Sequence, residues 1–132
     1  MKELSDRSRK ILSEVHPALA AVIEQAAAAG TWQVPPLSFI VTEGMRTLER
    51  QKQLMAAGAS KTLKSRHLTG HAVDLAVIVG GEVRWDWPLY STLAGIVKAA
   101  AHTLDTEIEW GGDWKSFKDG PHFQLSWKAY PL

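Results

Sequence analysis

Two short stretches hold most of the side chains in this sequence that could do chemistry. The first is Ser65-Arg-His-Leu-Thr-Gly-His-Ala-Val-Asp74; the second is Glu109-Trp-Gly-Gly-Asp-Trp-Lys-Ser-Phe-Lys-Asp-Gly-Pro-His-Phe-Gln-Leu125. If a strand starts near His71, alternation places Asp74 on one face with Ala72 and Ala76. His71 is then turned to the other face, with Val73 and Leu75. The small alanines leave room beside the carboxylate for a metal ion and a substrate. His67 lies just before Gly70, where a turn folds its imidazole back over Asp74, so His67 rather than His71 is the expected partner. In the second stretch His122 heads a strand, three residues after Asp119 and across a Gly-Pro turn. Two imidazoles and a carboxylate leave the fourth position of a tetrahedral zinc ion to water, the pattern of a catalytic site. Asp119, close to such a metal without binding it, would take a proton from that water and return it to a leaving amine. Glu109 and Asp113 are next in line for that work. Spacing by itself leaves an ordinary alternative open, in which each histidine is a hydrogen-bonded surface or core residue.

Composition narrows the options. The chain has no cysteine, which excludes disulfides, thiolate metal sites and a cysteine nucleophile. Any transition metal must therefore be held by His, Asp or Glu. A length of 132 residues suits one domain, expected to span 1–132, and can bury a core without staples. A net charge of +1 is too small to draw nucleic acid by its field, and no such partner is expected. Lys61, Lys64 and Arg66 form a basic cluster that reads as a solvated loop, or else as an attraction for an anionic polymer. No stretch approaches membrane-spanning length, so no membrane insertion is expected. The first twelve residues lack an apolar run of signal-peptide length, which predicts synthesis in the cytoplasm without a leader.

The elements that must position these residues can be read in order. Leu4 to Val15 has helical character. Pro17 suits the first turn of a second helix, whose Leu19, Val22, Ile23 and Ala26 make a buried stripe and which Gly30 ends. Pro35-Pro36 breaks regular structure, and Ser38 to Thr42 reads as a buried strand. Thr47 caps a third helix to about Ala57, with Gly58 as the stop. Ala72 to Val79 forms a strand joined through Gly80-Gly81 to Glu82–Trp85. Asp86 and Pro88 open a long helix with Leu89, Leu93, Ile96, Val97 and Ala100 inward. Short strands at Ile108–Trp110 and Pro121–Leu125 close the domain. These elements predict an α+β fold, with helices on a mainly antiparallel sheet that carries the metal site on one face.

Ser65-x-His67-x-x-Gly70-x-Ala72-x-Asp74, followed by Trp110-Gly-Gly-Asp-Trp114 and Asp119-x-Pro121-His122-Phe123, resembles the M15 family of zinc peptidases. The match runs from about Phe39 to Leu125. Its Trp-Gly-Gly-Asp-Trp and Pro-His-Phe-Gln-Leu stretches look most like the L-alanyl-D-glutamate branch. The resemblance implies Zn2+ bound by His67, Asp74 and His122, with Asp119 as the acid/base where many relatives carry Glu. Gly44-Met-Arg46 matches the family's arginine after its first core strand, which implies that Arg46 stabilises an oxyanion. The other role open to Arg46 is an ion pair anchoring the helix. Ser65 would hold the ligand loop or touch substrate. Trp110 and Trp114 flank the Gly-Gly turn and would wall the cleft or pack under the loop. Trp85, Trp87 and Trp127 are expected in core or edge packing, and His16 and His102 are expected to be structural or exposed.

The expected activity is zinc-dependent cleavage of the peptidoglycan stem peptide between L-alanine and D-glutamate. The protein would act as a monomeric endolysin, released to the wall by a holin-type partner. A D-alanyl-D-alanine carboxypeptidase and a non-catalytic zinc-containing binding domain are the alternatives. Asp119 and Arg46 speak against the latter, which needs neither.

Overall fold

The computed structural model describes residues 4–58, 65–116 and 118–131. Helices begin where the sequence supplies a cap. α1 (Asp6–Leu12) starts at Ser5, whose hydroxyl accepts the Ser8 N–H. α2 (Pro17–Gly30) starts at His16, whose Nδ1 accepts the N–H of Ala18. α3 (Leu48–Ala56) starts at Thr47, whose hydroxyl accepts the N–H of Arg50. α4 (Trp87–Thr103) has Asp86 at its N-cap, but that carboxylate pairs with Arg84 instead of the helix. The first helix is shorter than its sequence suggests, because the chain turns after Leu12.

Among the described residues, five strands form one sheet, and every pairing is antiparallel. β1 (Ser38–Glu43), β2 (Ala72–Val79), β4 (Ile108–Trp110) and β5 (His122–Leu125) lie in the order β1-β2-β5-β4. β3 (Glu82–Arg84) pairs with Val77–Val79 of β2 through the Gly80-Gly81 turn, where both glycines have positive φ. β5 pairs with Ala72–Asp74, so β3 and β5 share one edge of β2 in tandem. The last strand thus sits between β2 and β4, inside the sheet. At the other edge, the β1 amide of Val41 donates to the Ser8 hydroxyl, so α1 covers a strand that would otherwise lie open.

The two faces of the sheet do different work. Phe39, Val41, Val73, Leu75, Val77, Phe123 and Leu125 share a face and join Leu19, Val22 and Ile23 of α2 and Leu93 and Val97 of α4 in the core. Each such burial stabilises by about 1.5–3 kcal/mol. The opposite face carries Ala72, Asp74 and Ala76 of β2, His122 and Gln124 of β5, and Glu109 of β4. β1 keeps regular register as far as Val41 opposite Leu75. It then bulges by one residue, so that Glu43 rather than Thr42 stands opposite Asp74.

Candidate active site

Asp74 lies at the crossing of three elements, on the face of the sheet away from the core helices α2 and α4. β5 brings His122 directly opposite it, as its cross-strand partner. A 3-10 turn (Arg66–Thr69) brings His67 from the other side and is closed by Gly70 at φ 73°, a left-handed conformation that glycine takes without strain. A Cβ at Gly70 would lie 3.3 Å from the Glu14 carbonyl, so space also favours glycine. Ser65 caps the turn, its hydroxyl accepting the His67 N–H at 3.2 Å. Of the two roles open to Ser65, the observed contact holds the loop.

One carboxylate oxygen, Asp74 Oδ1, is 3.3 Å from His67 Nε2 and 3.3 Å from His122 Nδ1. The donor atoms of these three residues lie within 4.8 Å of one another, a group able to hold a metal ion. His67 Nδ1 lies 2.7 Å from the Gly44 carbonyl, and His122 Nε2 lies 2.7 Å from Gln124 Oε1. Both partners are acceptors, so each imidazole donates its far N–H outward and leaves a lone pair aimed at Asp74. Two lone pairs converging on a carboxylate repel unless a proton or a cation sits among them. The donor set and tautomers fit a divalent metal, and outward N–H bonds are how metal-binding histidines are oriented.

The charges respond accordingly. Burial works against an ionised Asp74, but with no cation among the three groups a second proton on the imidazoles turns those lone pairs into N–H donors, and their bonds and charge hold the Asp74 carboxyl well below the usual range. Burial lowers His122, yet Asp74, Gln124 and Asp119 together raise it above an ordinary histidine. Asp119 is raised by burial and then by the charge of Asp74, with His122, His67 and Arg46 partly offsetting this. All five groups therefore share one electrostatic neighbourhood.

A mould built from Trp110, Gly111 and Gly112 shapes the Asp119 turn. The Asp119 N–H donates to the Gly111 carbonyl at 3.0 Å, and the Trp110 indole N–H donates to the Gly120 carbonyl at 2.7 Å. A Cβ on Gly111 would sit 2.3 Å from the Asp119 carbonyl, and one on Gly112 would sit 2.2 Å from the Trp110 ring. Only glycine fits at either place. Of the two places open to Trp110, it takes the one beneath the loop, buried and stacked on Phe123 with its indole serving the turn. Trp114 does flank the site, with its ring 5.0 Å from that of His122.

Arg46 reaches the site and is also tied down. Its Nε and Nη2 donate to the two oxygens of Glu43 at 2.8 Å each, and its Nη1 donates to Gln51 at 2.6 Å. Its Nη2 lies 3.7 Å from Asp74 Oδ2. Both expected positions, beside the site and within a helix-anchoring ion pair, are occupied at once. The bulge in β1 is what swings Glu43 into place.

Other expectations fall elsewhere. His71 faces away, bonded to the Thr69 hydroxyl and ringed by His16. His102 is exposed. Asp113 pairs with Lys98 at 2.6 Å, and Glu109 bonds to Gln124 and to the Trp127 N–H. Lys61 and Lys64 lie outside the described residues. Arg66 is no solvated cation: it is buried, its guanidinium 4.0 Å from the centroid of the Trp127 ring and bonded to the Tyr130 carbonyl. Trp85 and Trp87 lie at the edge, one stacked on Tyr90 and the other against Trp110. Sequence reasoning missed Glu43, Gly44, Gln51 and Gln124. Gln124 gave a signal, two residues after His122 and hence on the same strand face, while Gly44 entered only as part of the Gly-Met-Arg motif and not for its carbonyl.

Comparison with known proteins points one way. Residues 1–125 match the family described as phage L-alanyl-D-glutamate peptidase. The chain is 38% identical over 94 residues to the L-alanyl-D-glutamate peptidase of Listeria phage A118, covering 71% of this chain and 32% of that protein. It therefore spans about a third of that relative's length. It is 30% identical over 128 residues to the peptidoglycan L-alanyl-D-glutamate endopeptidase CwlK of Bacillus subtilis, covering 86% and 74% of the two chains. The crystal structure of the Serratia marcescens L-Ala D-Glu endopeptidase ChiX superposes with a TM-score of 0.88 at 45% identity, covering 96% and 92%.

Proposed function

The chain belongs to the phage L-alanyl-D-glutamate peptidase family, and from that premise we propose that it hydrolyses the bond between L-alanine and D-glutamate in the peptidoglycan stem peptide. The whole chain, residues 1–132, acts as one peptidase unit, with zinc held by His67, Asp74 and His122. The observation that carries this reading is the convergence of three donor atoms whose imidazoles are both turned, by Gly44 and Gln124, to present lone pairs. When bound there, zinc supplies the Lewis acidity that activates water and polarises a carbonyl.

The protein's own residues do the rest. Asp119, raised by burial, accepts the proton of the attacking water and returns it to the leaving amine. Arg46 places positive charge where the carbonyl oxygen becomes negative. Trp114 walls the cleft beside His122. The enzyme works as a monomer on the cell wall, reaching it from the cytoplasm through a holin-type partner. No described helix is long and apolar enough to cross a membrane.

Mass spectrometry of muropeptides after digestion tests this. New N-terminal D-glutamate is the expected product. Loss of a terminal D-alanine would replace the reading with a carboxypeptidase, and zinc binding without any new chain end would leave a binding module.

A further inference from the structure

β5 carries His122 and Gln124 two residues apart on one face, and Gln124 stands between Ala72 of β2 and Glu109 of β4 as their direct register partner. Ala72 is small, which leaves the Gln124 side chain free to turn toward His122. The chain of contacts is continuous. His122 Nε2 donates to Gln124 Oε1 at 2.7 Å, Gln124 Nε2 points to Glu109 Oε1 at 3.4 Å, and Glu109 Oε2 accepts the Trp127 N–H at 3.1 Å.

The direction of this chain follows from chemistry. A carboxylate only accepts, so Glu109 draws the amide nitrogen of Gln124 toward itself. The amide oxygen must then face His122. An oxygen there requires a proton on His122 Nε2, which leaves Nδ1 bare and aimed at Asp74. We infer that Glu109 and Gln124 are positioning residues that set the tautomer of His122: Glu109 fixes which way the Gln124 amide points, and Gln124 fixes which imidazole nitrogen faces the site. The inference rests on His122 being a metal ligand, and it explains why a carboxylate next in line for acid/base work is occupied elsewhere. Gly44 does the same for His67 with a backbone carbonyl, which no side-chain substitution can remove. The two imidazoles are therefore held by unequal means, one permanent and one mutable.

Three variants test the relay: Gln124→Leu, Glu109→Gln, and the exchange Glu109→Gln with Gln124→Glu. The exchange keeps an acceptor facing His122, a donor–acceptor pair between positions 109 and 124, and an acceptor for Trp127. Zinc affinity is measured by competition with a chelator of known affinity. The His122 tautomer is read by 15N-resolved NMR of metal-free protein at a pH where the ring is neutral. Gln124→Leu is expected to weaken zinc by roughly 10–100-fold and to mix the two His122 tautomers, with His67 unchanged. Glu109→Gln keeps its amide oxygen on the Trp127 N–H and turns its nitrogen to Gln124, so it should reverse the Gln124 amide, move the His122 proton toward Nδ1 and weaken zinc at least as far, and the exchange should restore both readouts. If Gln124→Leu does not fold, the single Glu109→Gln and the exchange carry the test alone. Wild-type affinity in the single variants, or an exchange no better than Glu109→Gln, overturns the inference. Failure of the parent reading looks different: His122→Ala would bind zinc as wild type does, while the tautomer would still follow residues 109 and 124.

Discussion

Asp74 and His122 are direct cross-strand partners on β2 and β5, with Oδ1 and Nδ1 3.3 Å apart. Backbone pairing sets their Cα atoms opposite each other, and Gln124 holds the His122 ring. His67 has no such cross-strand tie and is brought to Asp74 by the turn that Gly70 closes.

Replacing His67 by Ala is expected to weaken zinc by more than the roughly 10–100-fold that outer partners carry, and His122→Ala should do likewise. His71→Ala should retain zinc, since His71 bonds to Thr69 on the other side of the strand. Metal analysis after dialysis checks all three. Full occupancy in His67→Ala would sink the assignment.

Asp119→Asn preserves shape and removes basicity. Zinc should stay bound while kcat drops by roughly 10²–10⁴-fold. Near-normal turnover would move the acid/base role elsewhere, and neither Asp113 nor Glu109 is well placed to take it, since both are already paired.

Arg46→Ala should lower kcat and kcat/KM together by roughly 10²–10³-fold. Sequence alone would lead one to expect little loss of stability. The bonds to Glu43 and Gln51 change that, because truncation leaves a partly buried carboxylate and a fully buried amide facing the gap. About 1–3 kcal/mol of stability should go too. Pairing Arg46→Ala with Glu43→Ala separates the effects: the double variant should recover stability without recovering turnover. Recovered turnover would make Arg46 purely a scaffold.

Two glycines should behave in opposite ways. Gly111→Ala drives a methyl into the Asp119 carbonyl, so both activity and melting temperature should fall. Gly95 lies in α4 with nothing within 4 Å of a Cβ, and Gly95→Ala should add about 1 kcal/mol and a few degrees of melting temperature. Thermal scans with matched activity assays decide both.

The metal-free protein should show a bounded pH range of stability. Asp74 is depressed in the fold, so its contribution is present above its unfolded value of about 4 and lost as pH falls. His122 is raised, so its contribution is present below about 6.5 and lost as pH rises through the folded value. Asp119, also raised, adds a loss that builds as pH rises from its unfolded value of about 4 and is complete once pH has passed its folded value. Denaturant midpoints should therefore decline as pH rises above about 6.5 without zinc, and much less with it. A flat metal-free profile over that range would contradict the geometry.

Much of this was legible from residues alone, and the reasons are specific. Period-two alternation separated Asp74 from His71, and cap residues such as Thr47 marked helix starts. What stayed hidden depended on contacts distant in sequence. No local pattern announces that β5 enters the sheet between β2 and β4, nor that β1 bulges at Thr42, yet these bring Gln124 to His122 and Glu43 to Arg46. The place of Trp110 stayed open for a related reason: its neighbours in sequence are site residues, but its indole bonds to Gly120, ten positions away. Arg66 looked like part of a charged surface run until Trp127 and Tyr130 folded over it.

The split between the faces of the sheet has a consequence for the order of events in the life of the molecule. Most of the apolar core lies on the face away from Asp74, and the site's side chains are held by bonds the polypeptide makes with itself. On the function proposed above, synthesis and maturation would be separate stages, with the ion a late addition rather than a nucleus. A pool of finished but silent protein would then accumulate, and the local supply of metal would decide when it begins to work.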